Sequence, residues 1–143
     1  MAGYGERYYN ALMAETGVDD SEGCKFYEFM STMVKNEKKR LGGNFAVAQA
    51  VPSRIMRDAI RKVLGKELVF VLLKLTPEFQ KERITNRHQD GDESVNQAII
   101  EMCTKINKFY ESAEVDEENT FDIVINGDLT PDDVVEKILK IVA

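Results

Sequence analysis

Short, nearly uninterrupted apolar runs alternate along this chain with segments whose apolar residues recur every three or four positions. The apolar runs are Phe45–Val51, Leu68–Leu75 and Phe121–Ile125. Runs of this kind are typical of strands that are covered on both faces, as in a parallel sheet. The sequence therefore predicts three buried strands.

Helical periodicity fills the intervals between and around these strands. The predicted helices are Lys25–Leu41, Ser53–Leu64, one that opens at Thr76-Pro77, one from Ser94 to about Tyr110, and one that opens at Thr130-Pro131. Ser53, Thr76 and Thr130 can each cap a first turn, and Gly42 and Gly65 suit helix ends. The order α-β-α-β-α-α-β-α is typical of βαβ crossovers and predicts an α/β fold with a parallel sheet flanked by helices.

The length of the chain favours a single domain, and its charge argues against some classes of partner. A chain of 143 residues is expected to form a single domain, with residues 1–24 as an N-terminal segment. Its net charge of −6 argues against partners that are nucleic acids or anionic membranes, and no apolar run is long enough to span a bilayer. Cys24 and Cys103 lie outside any metal-ligand spacing, and no signal peptide is visible, so we expect a cytoplasmic protein without a metal site. His88 is expected to be an ordinary surface residue.

Several of these segments follow one another in a familiar order. Val47-Ala48-Gln49-Ala50-Val51 leads into a helix that reads Arg54-Ile55-Met56-Arg57-Asp58-Ala59-Ile60-Arg61. After the next strand comes Arg83-Ile84-Thr85-Asn86-Arg87-His88, and an acidic stretch, Tyr110–Glu117, precedes the last strand. This order resembles the gluconate kinases and, more distantly, the shikimate kinases and other small-molecule P-loop kinases. Those kinases have a VVACSAL-type strand, an RxxYRDxLR-type helix and an RLxxR lid. The resemblance covers about four fifths of the chain and places the lid at about residues 77–110.

The phosphate-binding loop of these kinases has no counterpart in this sequence. The G-x-x-x-x-G-K-[ST] pattern cradles phosphates with backbone amides, a lysine and a hydroxyl that binds Mg²⁺. Gly42-Gly43 is followed here by Asn44-Phe45, and Gly3-Tyr4-Gly5 by Glu6-Arg7. The resemblance implies a strand order of 2-3-1-4-5, in which the central first strand and its loop would lie upstream of Met1. We therefore expect an incomplete P-loop-kinase-like three-layer fold, whose open sheet either pairs its own strands directly or recruits a second chain as a homodimer.

The resemblance singles out two groups of candidate site residues. Arg83 and Arg87 stand where the kinases have lid arginines that meet the nucleotide, and Asn126 follows the last strand as a third candidate nucleotide contact. The alternative for the two arginines is a solvated pair one helical turn apart.

The second group is expected near the end of a strand, where α/β sheets bind ligands. It consists of the ligand-binding candidates Arg54, Arg57, Asp58 and Arg61. The alternative for the pair Arg57-Asp58 is a salt bridge that holds its helix to the lid. No catalytic residue is assigned.

Three functions stay open at this point. The chain is a degenerate kinase-fold protein that binds a small anionic ligand or a partner; or it is a fragment or isoform of an ATP-dependent kinase for a sugar acid or polyol; or it is a self-assembling structural protein. ATP or ADP and Mg²⁺ are expected as cofactors only if a complete parent kinase exists. Because the phosphate cradle is missing, we expect no phosphoryl transfer by this chain alone.

Overall fold

The computed structural model describes residues 20–87, 93–108 and 110–143. Its elements are α1 (Asp20–Leu41), α2 (Arg54–Leu64), a 3₁₀ turn (Gly65–Glu67), β1 (Phe70–Leu75), α3 (Pro77–Arg87), α4 (Glu93–Asn107), β2 (Thr120–Ile125) and α5 (Pro131–Val142). The two strands are parallel, so the α/β class predicted from the sequence is confirmed. Within the described ranges, no helix is both long and apolar enough to cross a bilayer.

The chain divides into two compact units. The first unit comprises Met1–Leu68 together with Phe109–Glu111, and the second comprises Val69–Lys108 together with Ser112–Ala143.

The first unit is built on the packing of α1 against α2. The helix α2 begins as predicted, because the Ser53 hydroxyl accepts a hydrogen bond from the Met56 amide at 3.4 Å. Met56, Ala59 and Ile60 form its buried apolar face. Gly65 ends the helix at a φ of 72°, a left-handed conformation that favours glycine. The apolar stripe of α2 and the buried Tyr27 of α1 therefore belong to the core of this unit.

The second unit is built on the two-stranded sheet. The strands pair in parallel with Phe70 opposite Thr120 and Leu75 opposite Ile125, and α3 and α4 form the crossover between them. Parallel strands need such a crossover because a tight turn can only reverse the chain. The last helix, α5, opens with a capping box at Thr130, as its sequence predicted.

The predicted strand Phe45–Val51 is wrong. Residues 42–53 form neither helix nor strand, and every residue from 41 to 50 is exposed. A strand exists only where a neighbouring strand accepts its ladder of hydrogen bonds, and no described strand pairs with this segment. Its apolar composition was compatible with a strand but could not supply the partner.

The boundaries of two predicted helices shift by a few residues. The first helix begins at Asp20 rather than Lys25, and α4 runs from Glu93 to Asn107 rather than from Ser94 to about Tyr110. Helix ends depend on which orphan backbone groups find partners, so they are less constrained by periodicity than helix centres.

Candidate functional site

The carboxyl ends of β1 and β2 meet at one edge of the sheet. The Thr76 amide, directly after β1, donates to the Ile125 carbonyl at 3.0 Å, which keeps the two strand ends together. The Thr76 hydroxyl then accepts from the Phe79 amide at 3.3 Å and caps α3. In α/β sheets, ligands bind outside this edge of the strands.

The loop after β2 forms a short turn that Asn126 organises. The Asn126 side-chain oxygen accepts from the Asp128 amide at 3.0 Å, and its carbonyl accepts from the Leu129 amide at 3.5 Å. A side chain that bonds the backbone two residues further on is typical of an Asx-turn. Asn126 therefore has a structural role at the sheet edge, and its Oδ1 is already engaged.

Phe79 joins this turn to α3. A Cβ placed on Gly127 would lie 3.8 Å from the Phe79 ring, so the ring faces Gly127 across the space that such a Cβ would occupy. One helical turn further on, the Arg83 guanidinium carbon lies 5.8 Å from the centroid of the same ring. This distance suits a cation–π contact, which orients the guanidinium over the aromatic face. The structure thus brings Arg83 and the Asn126–Gly127 turn together through one phenyl ring.

This arrangement has a definite chemical capability. Arg83 is exposed, so its donors are accessible to a ligand. A guanidinium that is oriented by an aromatic ring can fork onto an anionic group or stack on a planar one. The cluster of Phe79, Arg83, Asn126 and Gly127 is hereafter called the strand-end cluster.

Arg87 lies outside the strand-end cluster as defined above. It is the last residue of α3, it is exposed, and it forms no ion pair with the residues that the structure describes. The predicted i,i+4 relation to Arg83 is present on the helix, and of the two arginines it is Arg83 that lies over the Phe79 ring. His88 and most of the loop that follows, residues 88–92, lie outside the described residues.

The second group of candidate residues lies on α2 in the first unit. Arg57 is fully buried, with a relative exposure of 0%, and its Nη1 donates to the Glu111 carbonyl at 3.0 Å. Glu111 is tied to the start of α2 twice more: its carboxylate accepts from the Arg54 amide at 2.8 Å, and its amide donates to the Pro52 carbonyl at 2.7 Å. Arg57 therefore holds Glu111 in place, and its guanidinium does not face solvent.

Asp58 links the other two arginines of this group. Its carboxylate lies 3.5 Å from Arg54 Nε and 2.7 Å from Arg61 Nη1, at the i−4 and i+3 positions of the same helix. A carboxylate shared by two guanidiniums offsets part of their charge. An anionic ligand at this surface would have to compete with Asp58, so this group is less suited to anion binding than the strand-end cluster.

The two cysteines are not placed for nucleophilic chemistry. Burial raises the pKa of the Cys103 thiol above its ordinary value of 9.0, which keeps it protonated at neutral pH. The Cys24 thiol donates to the Ile55 carbonyl at 3.8 Å. Within the described part of the chain, no group of three or more histidine, cysteine or acidic residues could hold a metal ion.

The sequence reasoning missed Phe79 and Glu111. Phe79 carried a usable signal, because an aromatic residue four positions before an arginine on a helix places the ring beneath the cation. Glu111 carried none, since its partners on α2 lie more than fifty residues away along the chain. Comparison of the chain with protein-family models, with curated proteins and with solved structures finds no match.

Proposed function

We propose that this chain is a P-loop-kinase-like protein that binds a small anionic ligand with a planar ring, of the nucleotide class, and does not transfer phosphate by itself. The observation that carries the proposal is the strand-end cluster, in which Phe79 orients the exposed Arg83 beside the turn after β2. A guanidinium in this position offers both a flat face for a ring and donors for a phosphate.

The topology of the second unit supports the same reading. On this proposal, β1 and β2 correspond to the fourth and fifth strands of the kinase order; those strands are parallel neighbours, and so are β1 and β2. The intervening helices α3 and α4 then correspond to the lid, with Arg83 on the first of them. With that correspondence, the cluster coincides with the nucleotide contact that the resemblance implies.

The absence of phosphoryl transfer follows from the chemistry of the reaction. Catalysis in this class depends on positioning and on neutralising the charge of the transferring group, for which a glycine-rich cradle and a lysine are the chief providers. The sequence of 143 residues contains no G-x-x-x-x-G-K-[ST] pattern. Binding by the strand-end cluster alone would therefore be of modest affinity.

Calorimetric titration with ADP and with ATP tests the proposal. We expect saturable binding at millimolar or lower nucleotide, and we expect Arg83→Ala to raise the Kd about tenfold, because a hydrogen bond to a charged group contributes about 1.5 kcal/mol or more. Arg40→Ala is the matched control. Arg40 is an exposed arginine on α1, where it pairs with Glu37 of the same helix, whereas Arg83 lies on α3. The absence of heat with either nucleotide at millimolar concentration would refute the assignment. Metal-dependent phosphorylation of a sugar acid or polyol by the purified chain would refute the claim that it is not catalytic.

A further inference from the structure

The segment between α1 and α2 is apolar and yet exposed. Gly42 and Gly43, with φ of 72° and 80°, lead the chain out of α1, and Pro52 precedes α2. Between them, Phe45 and Val47 are 41% and 54% exposed. An exposed apolar run of this kind is typical of a surface that contacts another molecule.

The backbone of this segment has almost no hydrogen-bond partners. From Phe45 to Gln49, no backbone or side-chain group is hydrogen-bonded to a residue that the structure describes. The exception further along is the Ala50 carbonyl, which accepts from the buried Tyr27 hydroxyl. Unpaired N–H and C=O groups on a segment with aromatic and β-branched residues, without charge and without an internal proline, form a template for pairing with another strand.

Large and small side chains alternate along the segment, so two copies paired antiparallel are complementary in size. Larger side chains occupy the odd positions from Phe45 to Val51, and alanine occupies every even position between them. An antiparallel pairing of two copies centred on Ala48 places Phe45 opposite Val51 and alanine opposite alanine. Residues on one face of a strand then meet residues of the same face, as the two-residue period requires. Aromatic and β-branched residues that face each other stabilise such pairs.

The distribution of charge also favours a second copy. The segment carries no charge in a chain whose net charge is −6, so its pairing with a second copy brings no like charges of the segment into contact. The flanking arginines have acids of their own: Arg40 pairs with Glu37 at 2.7 Å, and Arg54 lies 3.5 Å from Asp58. Neither cation therefore opposes the approach of its counterpart.

We propose that Phe45–Val51 is a self-pairing strand through which two copies of the chain associate, antiparallel and about a two-fold axis. Each copy offers the same edge to the other, so the contact is two-fold and is complete with two copies. A seven-residue strand is about 23 Å long, and its contact is smaller than the roughly 800 Å² per partner of a standard stable interface. The dimer is therefore reversible, with a Kd in the micromolar range or weaker.

Sedimentation velocity over a wide concentration range, combined with amide hydrogen exchange, tests this proposal. We expect a monomer–dimer equilibrium, with exchange at residues 45–51 slowing as the concentration rises. Val47→Lys should raise the dimer Kd about tenfold or more, because each copy contributes the altered residue to a two-fold contact. Ala48→Pro should have the same effect by removing a central N–H donor.

Val115→Lys is the matched control, because it makes the same substitution at a fully exposed valine outside the segment, and it should leave the Kd unchanged. Circular dichroism of each variant establishes that the fold is kept. The proposal is overturned if the chain stays monomeric at its highest soluble concentration, if it grows open fibres in place of a dimer, or if the dimer forms without slower exchange at residues 45–51.

Discussion

Replacing Arg57 with methionine would test whether one buried guanidinium stabilises the first unit. Arg57 has no exposed surface, and its Nη1 donates to the Glu111 carbonyl at 3.0 Å. Methionine keeps an unbranched apolar stem of similar reach, so the substitution removes the charged donor with little loss of packing. The Glu111 carbonyl then loses this donor at a partly buried position.

The expected cost is worked from the hydrogen bond that Arg57 donates to the Glu111 carbonyl. A hydrogen bond to a charged group contributes about 1.5–3 kcal/mol to the free energy of unfolding. We therefore expect Arg57→Met to lower the free energy of unfolding by about 1.5–3 kcal/mol. Arg40→Met is the matched control: its side chain is 65% exposed and pairs with Glu37 at the surface, so its loss should cost less than about 1 kcal/mol.

Urea unfolding followed by far-ultraviolet circular dichroism measures both variants. For a slope of about 1–3 kcal/mol per molar urea, Arg57→Met should move the midpoint down by about 0.5–3 M at an unchanged slope. Equal midpoints for the two variants would refute the reasoning. A more stable Arg57→Met variant would also refute it, and would mean that burying the charge costs more than its hydrogen bonds return.

Three smaller perturbations test the capping and turn chemistry. Thr130→Ala removes the hydroxyl that accepts from the Asp133 amide at 3.2 Å, and it should cost about 1 kcal/mol, measured by thermal unfolding; an unchanged midpoint would contradict the capping role. The hydrogen bond from the Thr130 amide holds the pKa of Asp133 below its ordinary value of 3.8. The stability from this carboxylate should therefore be fully present above pH 3.8 and decline as the pH falls below it, while Asp133→Asn should lack that decline; identical acid profiles of the two proteins would refute the assignment. Gly65→Ala should lower the free energy of unfolding by about 1–3 kcal/mol, because Gly65 has a φ of 72°. Gly127→Ala should be tolerated, because the added Cβ would meet the Phe79 ring at an ordinary 3.8 Å. Equal urea midpoints for the two variants would argue against backbone strain at Gly65.

Local signals account for the elements that were predicted correctly. The caps at Ser53, Thr76 and Thr130 each form as their sequences indicate, because a side-chain oxygen and an amide two or three residues later need no distant partner. The strand that ends at Leu75 and the one that ends at Ile125 were also visible, as apolar runs bounded by turn residues. These features depend on a few consecutive residues, which the sequence displays directly.

The candidate site could be predicted only in part. Arg83 and Asn126 were singled out by a resemblance, more than forty residues apart along the chain. Their proximity depends on the parallel pairing of β1 with β2 and on the Phe79 ring between α3 and the turn. The hydrogen bond from Arg57 to the Glu111 carbonyl also joins residues that are more than fifty positions apart.

The sequence by itself determined which segments are helical, where the caps at Ser53, Thr76 and Thr130 form, and which runs are apolar enough to be strands. Only the tertiary structure decided which of those runs became strands. Phe70–Leu75 pairs with Thr120–Ile125. Phe45–Val51 has an equally strand-like composition, but it pairs with no strand among the described residues. The physical reason lies in the hydrogen bonds. A helix satisfies its backbone within itself, whereas a strand needs a neighbour that composition alone cannot provide.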